Sequence, residues 1–174
     1  MDELNRKSVD EFRWAEKIPV IAVLENIRSA YNVGSVFRTA DAFLIEAVYI
    51  SGYTAKPPHK EISKTALGAQ DSVDWNYFEN TKMAIEQLKQ NQYRVFAVEQ
   101  VADSISLDKL SEMNIDKIAF IFGNEVSGVD EKTLSLCDGC IEIPQFGMKH
   151  SLNISVAAGI VLWEAVKVKS LQGA

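Results

Sequence analysis

The stretch IPQFGMKHSLNISVAAGIVLWEA, residues 143–165, joins a loop that contains proline and glycine to a helix that is apolar on every side. A helix of this kind must be covered all round rather than along one stripe. Two small polar residues, Ser151 and Asn153, stand where it begins. Either they cap the helix, or they face a ligand attracted by the free N–H groups and the positive dipole end found there. Capping by Ser151 predicts a helix over 151–168.

The preceding sequence alternates short β-branched runs with stretches of helical spacing. The apolar runs predict strands at 20–24, 47–50, 93–98, 117–122 and 140–143. Helical spacing predicts helices at 32–43, 81–90 and 130–136, and adjacent prolines predict an irregular loop at 53–65. Strands separated by helices indicate an α/β fold, with a mainly parallel sheet and helices on both faces. We expect one domain over 18–174, after a short helical extension of residues 1–17 in which Val9, Phe12 and Trp14 are available for packing.

The composition limits the classes of partner. The chain has 174 residues and a formal net charge of -6. It has no apolar run of the roughly 18 residues that a membrane span needs, and its first 17 residues mix charges instead of forming a signal segment. We therefore expect no membrane association and a cytoplasmic location. The acidic balance opposes a general nucleic-acid coat, which needs clustered Lys and Arg, but it leaves a local basic patch open.

The two cysteines, Cys137 and Cys140, are spaced C-x-x-C in CDGC. This spacing occurs in redox motifs. A structural zinc site needs four ligands, and the two histidines, His59 and His150, are not spaced to complete one. We therefore predict no metal site. We favour a structural turn between a helix and a strand over redox chemistry.

Four loops are candidates for ligand binding, because ligands of parallel sheets bind beyond the carboxyl ends of the strands. They are residues 25–31, 99–103, 123–129 and 144–150. In the third, Gly123 lets the backbone turn sharply after a buried strand. The loop matches neither G-x-G-x-x-G nor a Walker loop, so no phosphate cradle is indicated. Glu125 is either an anchor for a ligand or the solvated acid of a plain turn.

The stretch 32–43 carries three further residues of interest. Asn32 stands at the predicted N-cap of a helix. Gly34 lies in the first turn, where glycine costs about 1 kcal/mol relative to alanine, and this indicates close approach by another backbone or by a ligand. Arg38 lies off the apolar face, and its spacing fits an ordinary solvated arginine as well as a functional one.

Three motifs occur in series: N-x-G-x-x-x-R-T-A at 32–40, F-G-N-E-x-x-G-V at 122–129, and I-P-x-x-G-x-x-x-S-L-N-[IV]-S-[VA]-A at 143–157. With them the chain resembles the SpoU family of RNA methyltransferases, in the SPOUT superfamily, from about residue 18 onward. The resemblance implies a deep C-terminal trefoil knot, although knots are almost absent from proteins. It also implies a homodimer whose interface is formed by the helices that flank the knot.

The resemblance further implies the cofactor S-adenosyl-L-methionine, held at Val98, Glu99, Gln100, Gly123, Asn124, Gly128, Ile143 and Leu152. The implied reaction is methyl transfer to a ribose 2′-hydroxyl of tRNA or rRNA. The implied catalytic residues are Arg38, Asn32, Glu125, Ser151 and Asn153, with Arg38 stabilising alkoxide character because an arginine is always charged. The RNA would be bound by Arg28, Lys56, His59, Lys60 and Lys64, which otherwise form a solvated face.

Two other functions stay open. One is an RNA-binding scaffold that keeps the fold but has lost catalysis, which the intact set of five implied catalytic residues opposes. The other is an unrelated nucleotide-binding enzyme with a doubly wound sheet. That class needs a glycine loop for phosphate after its first strand, and ENIRSAYNVG at 25–34 is a poor one.

Overall fold

The structure is a computed structural model that describes residues 9–148 and 151–172. Within them, the strands are β1 (Ile18–Glu25), β2 (Ile45–Ser51), β3 (Asp74–Phe78), β4 (Arg94–Val98), β5 (Ile105–Ser106), β6 (Ile118–Phe122) and β7 (Gly139–Glu142). They form one sheet in the order β3-β2-β1-β6-β4-β7-β5. Every pair of neighbouring strands is parallel. The predicted α/β class with a mainly parallel sheet is confirmed.

The helices cover both faces of this sheet. They are α1 (Val9–Trp14), α2 (Ala30–Ala42), α3 (Lys60–Ala66), α4 (Ala69–Ser72), α5 (Thr81–Gln90), α6 (Glu131–Leu134) and α7 (Ile154–Gln172), with a 3-10 helix at Leu107–Met113. In β1, Val20 and Leu24 pack into the core beneath α2 and α7, whereas Ile21 and Val23 pack into the core beneath α5. Because successive side chains point to opposite faces, a strand buried on both sides is apolar throughout.

The predicted loop at 53–65 was only partly correct. Helix α3 begins at Lys60, directly after the prolines, and the side chain of His59 caps it by accepting a hydrogen bond from the N–H of Glu61 at 3.3 Å. Strands β3 and β5 were not predicted. β3 lies at one edge of the sheet and exposes most of its side chains, so it lacks the apolar run that marks a buried strand. β5 has two residues.

Both predicted helix caps were wrong by a few residues. The N-cap of α2 is Ser29, whose side chain accepts from the N–H of Asn32. At α7, the Asn153 side chain accepts from the N–H of Ser155 at 2.9 Å, and the helix runs from Ile154 to Gln172 rather than over 151–168. Near each helix start, several residues of types that commonly cap helices lie close together in the sequence. The path of the preceding backbone determines which of them caps the helix.

Gly34 explains how closely α2 and α3 pack. A Cβ at Gly34 would lie 2.1 Å from Oγ1 of Thr65 and 2.3 Å from the carbonyl oxygen of Ile62. Only a glycine allows this approach. Of the two interpretations of Gly34, close contact with another backbone is therefore the one that the structure supports.

The predicted extension of residues 1–17 is described from residue 9 onward. Of the apolar residues available for packing, Phe12 in α1 is buried in the same core as α2 and α7, whereas Trp14 is 89% exposed and does not pack within the described chain. The boundary at residue 18 stays a prediction, as does the trefoil knot, because strand order alone does not define threading. None of the helices in the described residues has the length and apolarity that crossing a membrane requires.

Candidate functional site

A cavity of about 460 Å³ lies at the carboxyl ends of β4, β6 and β7; we call it the strand-end cavity. Its lining includes every residue that the family resemblance implied for cofactor binding: Val98, Glu99, Gln100, Gly123, Asn124, Gly128, Ile143 and Leu152. Glu125 and Ser151, from the implied catalytic set, line it as well. Three of the four loops selected at the strand ends therefore meet around one cavity.

The loop after β6 has a tightly determined shape. The backbones of Asn124 and Gly128 exchange hydrogen bonds of 3.0 and 2.9 Å. The Asn124 side chain accepts from the N–H groups of Val126 and Ser127. A Cβ at Gly123 would lie 2.3 Å from backbone atoms of Gly128 and Val129. The wall of the strand-end cavity is thus a folded-back turn that excludes a side chain at Gly123.

The charged residues that the structure describes in the lining of the strand-end cavity are all acidic. Its lining includes the carboxylates Glu99, Glu125 and Glu142, and the described lining residues include no Lys, Arg or His. Glu99 is held by the N–H groups of Val129 at 3.1 Å and Gln100 at 3.2 Å. Such a cavity suits a ligand that combines positive charge with apolar surface. It is unfavourable for a polyphosphate, which needs cations or a cradle of N–H groups.

A chain of hydrogen bonds joins three loops at the edge of this cavity. The Glu125 carboxylate accepts from the N–H groups of Arg28 at 2.9 Å and Ser29 at 3.1 Å, and from the Asn32 amide at 3.0 Å. The Asn32 side chain in turn accepts from Nδ2 of Asn153 at 3.3 Å. Residues from the start of α2, the β6 loop and the start of α7 are therefore in contact. Of the rest of the implied catalytic set, Ser151 lines the strand-end cavity together with Glu125, whereas Arg38 neither lines this cavity nor takes part in these contacts.

Glu125 is held as an anion. Its partial burial acts to raise its pKa, but the hydrogen bonds from Arg28, Asn32 and Ser29 outweigh the burial, so the pKa lies below its ordinary value. Donors aimed at a carboxylate favour its charged form. The interpretation of Glu125 as the solvated acid of a plain turn does not fit these contacts.

A carboxylate with a lowered pKa makes stability depend on pH. The contribution of Glu125 is complete above its unfolded-state pKa of about 4.3, and it is lost as the pH falls through the lower folded-state pKa. We expect Glu125→Gln to lower the free energy of unfolding at about pH 7, with a deficit that shrinks as the pH falls below about 4. Urea unfolding of both proteins across this range measures the deficit. A deficit that stays constant with pH would contradict the assignment.

Arg38 lies in a second cavity, of about 470 Å³, between α2 and α3; we call it the Arg38 cavity. Its other lining residues are Ser35, Thr39, Ala42, Phe43, Lys64 and Thr65, and none of them lines the strand-end cavity. The Arg38 side chain is exposed. Within one chain, the arginine is therefore not brought to the other implied catalytic residues.

The cations assigned to RNA binding are exposed and free of carboxylates. Lys56 Nζ lies 3.7 Å from the ring centroid of Tyr77, and Lys64 donates to the hydroxyl of Tyr31 at 3.3 Å. Lys60 is exposed in the first turn of α3, and Arg28 contacts Glu125 through its backbone. In the part of the chain that the structure describes, none of these cations forms an ion pair.

The sequence analysis missed three residues at the site. Glu142 lines the strand-end cavity. Asn26 follows β1, and its carbonyl oxygen accepts from Asn124 Nδ2 at 2.9 Å. The same Nδ2 donates to the hydroxyl of Tyr53 at 2.8 Å. Asn26 lies in the first of the four selected loops, 25–31, but was given no role. Tyr53 lies two residues beyond the carboxyl end of β2, and the strand-end rule would have included it had a loop been selected after that strand.

The surroundings of the two C-x-x-C cysteines favour a structural role over a redox role. Burial raises the pKa of Cys137 to about 12 and also raises the pKa of Cys140. The Cys137 thiol contacts the carbonyl oxygen of Thr133 at 3.2 Å. A thiol that stays protonated is a poor nucleophile and a poor metal ligand, which favours the structural interpretation. The described residues contain no group of three His, Cys, Asp or Glu side chains that could hold a metal ion; His150 lies outside them.

The chain is similar to known RNA methyltransferases. The model of the SpoU rRNA Methylase family matches residues 19–163. The chain is 30% identical to the 23S rRNA (guanosine-2′-O-)-methyltransferase RlmB of Vibrio parahaemolyticus, over 95% of this chain and 66% of that protein. It is 31% identical to the tRNA (guanosine(18)-2′-O)-methyltransferase of Thermus thermophilus, over 98% of this chain and 86% of that protein.

A solved structure agrees with these relatives. The AdoMet-bound rRNA methyltransferase from Sinorhizobium meliloti superimposes with a TM-score of 0.80 at 25% identity, over 87% of this chain and 57% of that one. The chain thus spans slightly less than two thirds of the length of the RlmB protein, but most of the Thermus thermophilus protein.

Proposed function

Because the chain belongs to the SpoU rRNA Methylase family, we propose that it transfers a methyl group from S-adenosylmethionine to a ribose 2′-hydroxyl of tRNA or rRNA. The observation that carries this proposal is the strand-end cavity, which gathers all eight implied cofactor residues and adjoins the Glu125–Asn32–Asn153 contacts. Residues 18–174 would form the methyltransferase domain. An enzyme that methylates tRNA or rRNA would act in the cytoplasm.

The strand-end cavity fits S-adenosylmethionine by its chemistry. The cofactor supplies an electrophilic methyl group on a sulfonium centre. The carboxylates of Glu99 and Glu142 favour positively charged groups at the lining, and Ile143 and Leu152 offer apolar surface to an adenine. Gly123 and Gly128 keep the backbone close to whatever is bound there, because neither adds a side chain to the wall.

The polar chain at the cavity edge would position the ribose. Methyl transfer requires the attacking oxygen to be aligned with the methyl carbon, which is chiefly a matter of orientation. The amides of Asn32 and Asn153 are held against each other, and Glu125 fixes the Asn32 amide. Ser151 lines the cavity beside them. As the 2′-oxygen bonds to the methyl carbon, the bond from that carbon to sulfur would break and release S-adenosylhomocysteine, and the hydroxyl proton would pass to water. A guanidinium would stabilise the alkoxide character that develops on the oxygen.

That guanidinium would come from a second copy of the chain. On α7, Val156, Ile160 and Trp163 are exposed at helical spacing, and a Cβ at Gly159 would meet nothing within 4 Å. A glycine inside a helix that faces open space favours close approach by a partner. The Trp163 ring lies 5.5 Å from that of Phe43, which lines the Arg38 cavity. A homodimer through this face of α7 would therefore carry Arg38 to the partner's strand-end cavity.

The dimer is tested by placing a charge on α7. Ile160→Glu is expected to convert a dimer to a monomer, because an isologous interface buries the new charge twice. Met83→Glu is the matched control, since Met83 is an exposed apolar residue of α5 on the opposite face of the sheet. Sedimentation velocity measures the mass of each variant. A monomeric wild-type protein, or an Ile160→Glu variant that stays dimeric, would contradict this arrangement.

The activity is tested with S-adenosylmethionine carrying a tritiated methyl group and pools of total tRNA and rRNA. Alkaline hydrolysis cleaves RNA through the 2′-hydroxyl, so a 2′-O-methyl group leaves a labelled, alkali-resistant dinucleotide. Guanosine is the first nucleotide to examine, because both curated relatives are named as guanosine 2′-O-methyltransferases. Label confined to alkali-labile nucleotides would exclude ribose methylation. Cofactor binding without transfer to any RNA would favour the idle scaffold.

A further inference from the structure

Tyr53 has an exposed aromatic ring, and the residue is held by hydrogen bonds at its backbone and at its hydroxyl. Its backbone N–H donates to Oδ1 of Asn26 at 3.3 Å, and its hydroxyl accepts from Nδ2 of Asn124 at 2.8 Å. The residue nevertheless remains 65% exposed. The adjacent Gly52 adopts φ +64°, and a Cβ there would lie 2.0 Å from Asn26 Oδ1. The backbone and the hydroxyl hold the ring in place, while much of its surface stays in solvent.

Two lysines that follow Tyr53 in the sequence, Lys56 and Lys64, are each paired with a tyrosine. Lys56 lies over the ring of Tyr77, whose hydroxyl donates to the carbonyl oxygen of Gly52 at 3.0 Å. Lys64 pairs in the same way with Tyr31. Within the described residues, neither lysine forms an ion pair with a carboxylate. On a chain of net charge -6, lysines held by tyrosines keep their charge available for an anionic partner.

We propose that the Tyr53 ring is a stacking platform for an unpaired base of the RNA substrate. The proposal rests on the proposed function and adds the structural class of the substrate. Tyr53 contacts the residue before Glu125, so a base stacked there lies beside the strand-end cavity. Stacking needs a free π-face, which single-stranded segments offer and duplexes withhold. Lys56, held over the ring of Tyr77 beside Gly52, binds a phosphate next to the stacked base.

A fixed ring is well suited to this task. An aromatic side chain with a mobile ring loses rotamer freedom when a base stacks on it, whereas Tyr53 is already held by Asn26 and Asn124. An acidic protein segment is the other anionic partner to consider. It would use the lysines but gain little from an immobilised ring, so the pairing of ring and cations favours nucleic acid.

The test separates stacking from phosphate binding. Fluorescence anisotropy measures the affinity for two labelled probes of about 12 nucleotides, a single-stranded RNA of mixed sequence and an abasic ribose-phosphate strand of the same length. We expect the wild-type protein to bind the RNA about tenfold more tightly than the abasic strand, since stacking is worth that much per base. Tyr53→Leu is expected to remove this preference, and Tyr53→Phe, which keeps the ring, to retain it.

Lys56→Ala is the matched control. It should weaken binding of both strands by the same factor, because both carry the same phosphates. If Tyr53→Leu keeps the preference, or weakens both strands equally, the stacking proposal is overturned. Methyl transfer by the wild-type protein to tRNA and rRNA is measured in parallel. If the wild-type protein methylates RNA but Tyr53→Leu still prefers the RNA to the abasic strand, only the stacking proposal is overturned. If the wild-type protein neither binds nor methylates RNA, both the stacking proposal and the proposed function are overturned.

Discussion

Arg38→Ala should lower the rate of methyl transfer by a factor of about 10² to 10³, which is the usual cost of removing one donor that stabilises developing negative charge. The variant should keep its fold and its affinity for S-adenosylmethionine, because Arg38 is exposed and does not line the strand-end cavity. Single-turnover transfer to the RNA that the wild-type protein methylates measures the loss, and isothermal titration measures cofactor binding. Turnover within a few-fold of wild type would remove Arg38 from the mechanism.

The subunit that supplies Arg38 can be identified from mixed dimers. Arg38→Ala and Gly123→Ala chains are co-expressed with different tags, and the heterodimer is purified through both. If Arg38 serves the partner's strand-end cavity, one of the two sites is intact, and the heterodimer should show about half of the wild-type activity. If Arg38 serves its own chain, neither site is complete and the heterodimer is inactive. That result would contradict the dimer arrangement while leaving the reaction class standing.

Gly123→Ala should weaken S-adenosylmethionine binding by about 100-fold, which corresponds to about 2.7 kcal/mol. The new Cβ would lie 2.3 Å from the carbonyl carbon of Gly128 and from the backbone nitrogen of Val129. Backbone atoms cannot rotate away as the end of a flexible side chain can, so the turn that forms the cavity wall must shift. We also expect a loss of about 1–3 kcal/mol in the free energy of unfolding, as for other overpacked sites.

Gly34→Ala is the matched control for this substitution. Its Cβ would meet the carbonyl oxygen of Ile62 at 2.3 Å, so it should be destabilised to a similar extent. The conflict lies between α2 and α3, however, and Gly34 does not line the strand-end cavity. Cofactor affinity should therefore fall in Gly123→Ala and stay near wild type in Gly34→Ala. Equal losses in the two variants would show that lower stability, rather than the shape of the cavity, weakens binding.

Local sequence pattern was sufficient for five of the seven strands and for α2, α5, α6 and α7, but not for α3 and α4. The apolar run of β1 and the helical spacing of the apolar residues in α2 are visible in the sequence because each element must bury apolar side chains against a neighbouring layer. The pattern failed at β3, which exposes most of its side chains at the sheet edge. It failed also at the caps, where Ser29 rather than Asn32, and Asn153 rather than Ser151, meet the free N–H groups.

By itself, the sequence determined the α/β class and selected three of the loops that meet around the strand-end cavity, and the family resemblance carried by its motifs implied eight of the lining residues. Parallel strands bring their carboxyl ends to one edge, so residues that follow different strands converge there whatever their separation along the chain. Only the tertiary structure decided that Asn153 reaches Asn32, that Tyr53 reaches Asn124, and that Arg38 lies in a separate cavity. These contacts depend on how α2, α7 and the strand-end loops pack together, and no local pattern encodes the distance between elements so far apart in sequence.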